Sequence, residues 1–522
     1  MKRHNTHRRD FLKTTGAVAG GYWLGTSVTD VSARSANEKL NIACIGVGGR
    51  GSANVGGVSG ENIIAMCDVD ESKAGKRFQE FNKAGKFKDY RVMFDKIGQQ
   101  IDAVVISTPD HTHFHPARHA MFEGKHVYCE KPLAHSAWEI RQLTKIAKKT
   151  NVATQLGNQR HANAGMARAV EAVQSGMVGK INEVYCAIGG SRGMPAMPKE
   201  SPAVPSHLDW QLWQGPVAQR DYSPEYAPYN WRFWWDYGTG ETGNWGCHIL
   251  DIPYWALGLK YPTRVDLDVV PTMDQIDAER TPKSMKTRME YKAENGHDAV
   301  TLHWWHGSMK EIYEKHNAHA SGNTLFIGEK GTISAGFSGY KAKLNDGDEP
   351  KAPSPSIPKS PGFYREWINA CKGGQRSTCD FVNYSGALSE TVLLANAAYR
   401  SGGGFDWDAT AFKSSGNAKV SNTSTSSLQR DGKSTKSNSV VSNLLRVASD
   451  QLESVVIWVV SRYLAGFKLV YPSVEFQLSA PNSSCNRRMG CNVLKLQEDI
   501  FFYGPCEACV LVCDLIVLLF NS

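Results

Sequence analysis

The chain has 522 residues, a formal net charge of +8, 41% hydrophobic residues and 21% charged residues. That composition is ordinary for globular proteins and excludes a disordered or fibrous chain, while the length suggests two or three domains. Residues 1–40 carry +4 and residues 413–522 carry +3, so the body between them is left at +1, with no basic footprint for nucleic acid.

The N-terminus places Arg8 and Arg9 before Phe11, Leu12 and Lys13, then a weakly apolar stretch and the small residues around Ala33. This is the layout of an export signal of the twin-arginine (Tat) type over residues 1–36. An amphipathic first helix is the alternative, disfavoured by the Gly and Thr content. The expectation is a Tat-exported, periplasmic protein that meets the Tat machinery already folded.

Asn41–Ile45 is a short apolar strand pattern running into Gly46, Gly48 and Gly51, spaced as GxGxxG, and then into a helix-compatible stretch. Such a turn lets a pyrophosphate approach the backbone at a helix N-terminus. Asn62–Cys67 is a second strand pattern, ending at Asp68, where a carboxylate can accept from ribose hydroxyls. That favours NAD, while Ser72 and Lys73 keep NADP open. Further strands are read at 101–108, ending before Pro109, and from His126 towards Glu130, Lys131 and Pro132. Helical segments at Ser72–Ala84, Phe114–Glu123 and Ala137–Thr150 alternate with them, as a parallel doubly wound sheet requires. His111, His113 and His115 alternate, but they follow Pro109 and open a helix, so no metal site is expected.

The next stretch predicts a helix over Ala164–Ser175, a strand over Ile181–Ile188 and a helix over Ala387–Arg400. Seven of the fourteen tryptophans lie between Trp210 and Trp255. Rings beside polar heads, as around Trp234, suit a carbohydrate pocket, with a packed core as the bland alternative. Residues 413–443 read as a Ser-rich linker, with ten serines between Ser414 and Ser442. Residues 444–522 hold five of the twelve cysteines without a complete ligand set, and read as an atypical tail that is not a coherent domain.

Gly46–Gly51, Thr108-Pro109 with His113 four residues past the proline, and Glu130-Lys131-Pro132 resemble the Gfo/Idh/MocA (glucose–fructose oxidoreductase / inositol dehydrogenase) family over roughly residues 38–412. The resemblance implies a dinucleotide-binding domain at 38–155 and an α+β domain at 156–412. The second domain would be built on an open-faced, largely antiparallel sheet used for substrate and subunit contacts in a homo-oligomer. It implies cofactor contacts from Gly46, Gly48, Arg50, Gly51, Asp68, Thr108, Pro109, His113 and Glu130. It makes Lys131 and His248 the catalytic residues, with Pro132 often cis. Arg160, His161, Trp234, Asn244 and Asp251 are the expected substrate contacts. The segment Asn244 to Asp251 matches the family's DxxxHxxD with one departure, Asn244 for the first Asp. A neutral imidazole at His248 can take a hydroxyl proton, but Asn244 cannot stabilise the resulting cation by charge, and Glu241 or Asp251 are candidates to compensate. The implied activity is NAD(P)-dependent hydride exchange with a sugar hydroxyl carbon. An NAD-dependent glycoside hydrolase and a noncatalytic carbohydrate-binding protein are the alternatives.

Overall fold

The computed structural model describes residues 38–420, apart from 191, 273, 274, 295 and 418. The expected export signal, most of the expected linker and the tail lie outside the described residues. No helix among the described residues is long and apolar enough to cross a membrane.

The first domain is a six-stranded parallel sheet: β1 Asn41–Ile45, β2 Asn62–Cys67, β3 Gly85–Phe87, β4 Ala103–Ile106, β5 His126–Cys129 and β6 Thr154–Leu156, in spatial order 3-2-1-4-5-6. Every residue of β4 is buried, as is nearly all of β1 and β5, because helices cover both faces of a parallel sheet. Those helices are α1 Gly49–Val58, α2 Glu71–Glu80, α3 Tyr90–Ile97, α4 Phe114–Phe122 and α5 Ala137–Thr150. Local chemistry sets their starts. Asp70 and Asp89 accept first-turn N–H groups, and Ser136 with Glu139 forms a reciprocal capping box at α5. The order reverses at β1/β4, which leaves a crevice at the strand carboxyl ends.

The second domain holds β7 Ile181–Ile188, β8 Arg264–Leu267, β9 Lys286–Tyr291, β10 Val300–His306, β11 Thr324–Gly328, β12 Gly331–Gly336, β13 Gly339–Leu344, β14 Phe405–Asp408 and β15 Lys413–Ser415. They form a nine-stranded mixed sheet in the spatial order 13-12-11-7-10-9-8-14-15. Only the β7–β10 pair, Ile181–Ile188 with Val300–His306, is parallel. Alternation sets its two faces. Val184, Cys186, Leu302, Trp304, Met289 and Phe326 join the core beneath helices Ala164–Gln174 and Gly386–Ser401. Tyr185, Leu325 and Ile327 face the other way, where Met309 and Tyr313 cover them. The sheet does not stop at 412. Lys413–Ser415 forms β15, paired with β14 Phe405–Asp408, which corrects the expected start of the linker.

A long insertion follows β7 and folds back onto the first domain. Asp209 N donates to Val69 O at 2.9 Å, Glu71 N donates to His207 O at 3.0 Å, and the His207 ring meets Asp70 at 2.9 Å. Its interior is a separate aromatic cluster that includes Trp210, Trp213, Tyr226, Trp231, Trp234 and Tyr237.

Candidate active site

A cavity of about 1350 Å³ lies at the carboxyl ends of β1, β2, β4 and β5 and is walled by the insertion. Gly46 has φ +76°, and a Cβ there would press on the Ser107 carbonyl at 2.8 Å. A Cβ on Gly51 would come 1.8 Å from Gly46 O, so α1 starts in contact with the turn and only glycine fits. Gly51 serves that packing and does not line the cavity.

Asp68 sits at the β2 end. Its Oδ2 accepts from Val47 N at 2.8 Å and Gly48 N at 3.1 Å, and its Oδ1 accepts from Asp70 N at 3.0 Å. Burial raises its pKa above the usual carboxylate range, and these backbone donors oppose the rise. A carboxylate offers about four acceptor positions, so capacity remains for a ribose hydroxyl. Thr108 Oγ1 is buried with no hydrogen-bond partner among the described residues, and Thr108 lines the cavity. A glycine turn, a helix start, a carboxylate with spare capacity and an orphaned hydroxyl together fit a dinucleotide.

Glu130 is a hub rather than a free ligand. Its Oε1 accepts from Arg50 Nε at 3.2 Å, Asn54 Nδ2 at 2.9 Å and Gln159 Nε2 at 2.7 Å. Arg50 is thereby held at the glycine turn, and it also donates to Tyr364 Oη at 2.9 Å. His113 is a correction. Its buried ring lies between the carbonyls of Pro132 and Thr108, 2.8 Å from each. It staples the Thr108 turn to the segment after Lys131 and does not reach the cavity.

The reactive end gathers Lys131, Asn244, Trp245 and His248. The Lys131–Pro132 peptide is cis. Lys131 Nζ donates to Asn244 O at 2.5 Å and Asn244 Oδ1 at 2.9 Å. An ammonium has three N–H donors, so one remains for a substrate oxygen. Burial lowers the Lys131 pKa, and Glu130 and Asp110 partly restore it. Asn244 rides on the π-helical turn Thr242–Gly246 and donates from Nδ2 to Glu241 Oε2 at 2.8 Å. Glu241, fully buried, pairs with Arg192 at 2.5 Å.

His248 follows in the short helix Cys247–Ile249. Its Nδ1 meets Asn158 Oδ1 in a short hydrogen bond. Asn158 Nδ2 donates to Cys247 O at 2.9 Å, which fixes the amide with its oxygen towards the ring. Nδ1 therefore carries the proton and Nε2 keeps its lone pair. Burial drives the His248 pKa well below 6.5, and the charges on Lys131, Arg160 and Arg50 push the same way. The ring is a neutral acceptor of defined tautomer.

Three expected substrate contacts are not at the cavity. Trp234 is 0% exposed, inside the insertion's core, and its Nε1 donates to Glu225 O at 2.8 Å. His161 and Asp251 form a buried pair at 3.0 Å, with the His161 ring stacked on Trp255 at 4.2 Å. Burial works against a charged His161, but the Asp251 carboxylate outweighs it and raises the pKa well above 6.5. The pair ties the turn Gln159–Ala162, which carries Arg160, to helix Asp251–Leu257. Among the tryptophans it is Trp213, Trp231 and Trp245 that line the cavity. Asn158, Trp231 and Arg232 had no motif to mark them. Asn158 was legible only as a neighbour of Arg160.

A family model described as an oxidoreductase family with an NAD-binding Rossmann fold matches residues 40–158, and the model for its C-terminal alpha/beta domain matches residues 193–347. The chain belongs to the Gfo/Idh/MocA oxidoreductase family. Its first domain is accordingly an NAD-binding Rossmann domain, which agrees with the fit of the cavity. It is similar to the glycosyl hydrolase family 109 protein 1 of Shewanella sp. (strain ANA-3), at 30% identity over 28% of this chain and 38% of that protein. It is also similar to inositol 2-dehydrogenase 1 of Saccharopolyspora erythraea, at 31% identity over 32% of this chain and 51% of that one. The chain thus spans between about two-fifths and one-half of these curated relatives. Among solved structures, an NAD-binding protein from Listeria innocua shares the fold with a TM-score of 0.50 at 17% identity, over 69% of this chain and 94% of that one. An inositol dehydrogenase homolog from Azotobacter vinelandii, complexed with NAD+, gives the same TM-score over 71% and 98%. Within the Gfo/Idh/MocA pattern, the Asn244 departure has a local physical reason. Glu241, one turn earlier, already supplies the carboxylate, and a second one at 244 would face it directly.

Proposed function

We propose that this protein transfers hydride between NAD and a hydroxyl-bearing carbon of a sugar or sugar derivative. The observation that carries the reading is His248. It is a neutral ring with its proton fixed on Nδ1, in the same cavity as the glycine turn and Lys131.

NAD, when bound, supplies the group that accepts or returns hydride. Gly46, Gly48, Arg50, Asp68 and Thr108 would hold it. Lys131 gives its remaining N–H to the substrate hydroxyl oxygen and stabilises developing alkoxide charge. His248 Nε2 takes the hydroxyl proton. The imidazolium so formed has an amide oxygen on Nδ1 rather than a carboxylate, and three cations nearby, so it returns its proton readily. Asn244 positions Lys131, with Glu241 and Arg192 behind it.

The reading extends to export through the twin-arginine pathway to the periplasm and to a homo-oligomer. A second reading, a glycoside hydrolase working by transient oxidation, draws support from the similarity to the Shewanella protein. One assay separates the two. NAD-loaded protein is given a panel of sugars and chromogenic glycosides while reduced nicotinamide and released aglycone are followed together. Net reduced nicotinamide supports the dehydrogenase. Aglycone release without it supports the hydrolase. Failure to bind NAD(H) defeats both.

A further inference from the structure

Two of the four arginines in the cavity wall are neutralised, Arg50 by Glu130 and Arg91 by Asp89. Arg160 and Arg232, both in its wall, pair with no carboxylate among the described residues. Arg160 lies over the Phe337 ring at 4.4 Å and the Trp245 ring at 5.9 Å. Arg232 lies over Trp231 at 4.2 Å and Tyr229 at 4.6 Å, and donates once, from Nη1 to Tyr229 O at 3.2 Å. Aromatic stacking holds the flat faces of both guanidiniums and leaves N–H edges to take a ligand.

The carboxylates within electrostatic reach of Arg232 are Asp110 and Glu241. Asp110 Oδ2 is engaged by Thr239 N at 3.1 Å and Thr239 Oγ1 at 2.6 Å. Glu241 is engaged by Arg192 and Asn244. The two arginines also flank the reactive pair. Arg232 depresses the Lys131 pKa, and Arg160 depresses that of His248. Lys131, Arg160 and Arg232 thus border one hollow; Asp110 in the same wall faces Lys131 and Arg232, but neither arginine has an ion-pair partner among the described residues. Partly buried unpaired charge is unfavourable until a ligand supplies the opposite sign.

We infer that the substrate is an anionic sugar, its carboxylate or phosphate held by the edges of Arg160 and Arg232 while its hydroxyl meets Lys131 and His248. This rests on the oxidoreductase reading above and names its substrate class. Both anions present two oxygens spaced to accept the two parallel hydrogen bonds of a guanidinium fork.

The test is calorimetric titration of NADH-loaded, full-length protein with three groups of probe: neutral hexoses, the corresponding hexuronates, and the hexose 6-phosphates. We expect a uronate or a sugar phosphate to bind at least about tenfold more tightly than its neutral parent, and which one wins identifies the anion. Arg232→Gln and Arg160→Gln should each weaken that ligand by about tenfold to a hundredfold, with NADH affinity unchanged. Arg232→Lys, which keeps charge but loses the fork, should fall between. The inference is overturned if a neutral sugar binds as well as its anionic counterpart, if no probe binds the NADH-loaded protein, or if the Gln variants lose NADH instead of the sugar. Loss of NADH binding by the unmodified protein would instead defeat the oxidoreductase reading itself.

Discussion

Asn158 is the sharpest place to perturb this site. Its side chain is fully buried, its Oδ1 accepts from His248 Nδ1, and its Nδ2 donates to Cys247 O at 2.9 Å. A hydrogen bond to a charged group contributes about 1.5–3 kcal/mol, against about 1 kcal/mol for a neutral pair. His248 is neutral in the ground state and gains charge as it takes the proton, so Asn158 contributes about 0.5–2 kcal/mol more in the transition state. Asn158→Leu should therefore lower kcat about two- to thirtyfold with sugar KM and NAD affinity little changed. The two buried groups left unpaired cost about 1–3 kcal/mol each in stability, so thermal unfolding is measured alongside to confirm that the variant is folded. Asn158→Asp puts a carboxylate on Nδ1. It should raise the His248 pKa and shift the acid limb of the kcat/KM profile upward by about one unit or more. An Asn158→Leu protein with unchanged kcat, or an Asn158→Asp protein with an unmoved acid limb, would refute the assignment of His248 as base.

Four further outcomes follow from the same geometry. In the unmodified protein, the acid limb of kcat/KM should fall below pH 6.5, because burial and nearby cations keep His248 neutral there; a stopped assay across pH 4–8 reads it. Asn244→Asp should lose activity about tenfold rather than restore the family pattern, since it sets a carboxylate against Glu241 across a 2.8 Å contact, and adding Glu241→Gln should recover much of it, as steady-state kinetics on both variants would show. Thr108→Val should weaken NAD binding about tenfold by calorimetry while leaving the melting temperature of the unliganded protein unchanged, because no group among the described residues bonds that hydroxyl. Burial pushes His111, His135 and His306 down to about 4. Each stays neutral when folded and takes a proton near pH 6.5 when unfolded, so stability should fall as pH drops from about 6.5 towards 4, visible in urea midpoints.

What could be read from the sequence was mostly local. Gly46, Gly48 and Gly51 are legible because a tight turn and a close helix start admit one residue type. Ala137–Thr150 and Ile181–Ile188 are legible because periodicity is unambiguous there, and both elements appear with those bounds. Lys131 and His248 came from resemblance, not spacing. The errors share one cause. Ring density cannot separate a packed cluster from a pocket wall, so Trp234 was expected at the substrate while Trp231, three residues away, is one of the rings in the cavity wall. His161 directly follows the lining residue Arg160 and Asp251 lies three residues past His248, but on a turn and a helix such neighbours point elsewhere, here towards each other. Asn158, Arg232 and the Glu241–Arg192 pair depend on contacts between distant segments, which no window along the chain reveals.

The most direct test of the central claim follows nicotinamide reduction by near-ultraviolet absorbance after one addition of a turned-over sugar to NAD+-loaded protein. The unmodified protein should bind NAD+ and give the reduced-nicotinamide signal, whereas His248→Ala should bind NAD+ equally well and give almost none. A protein that binds no NAD+, or a His248→Ala variant that reduces it at the unmodified rate, would contradict the account.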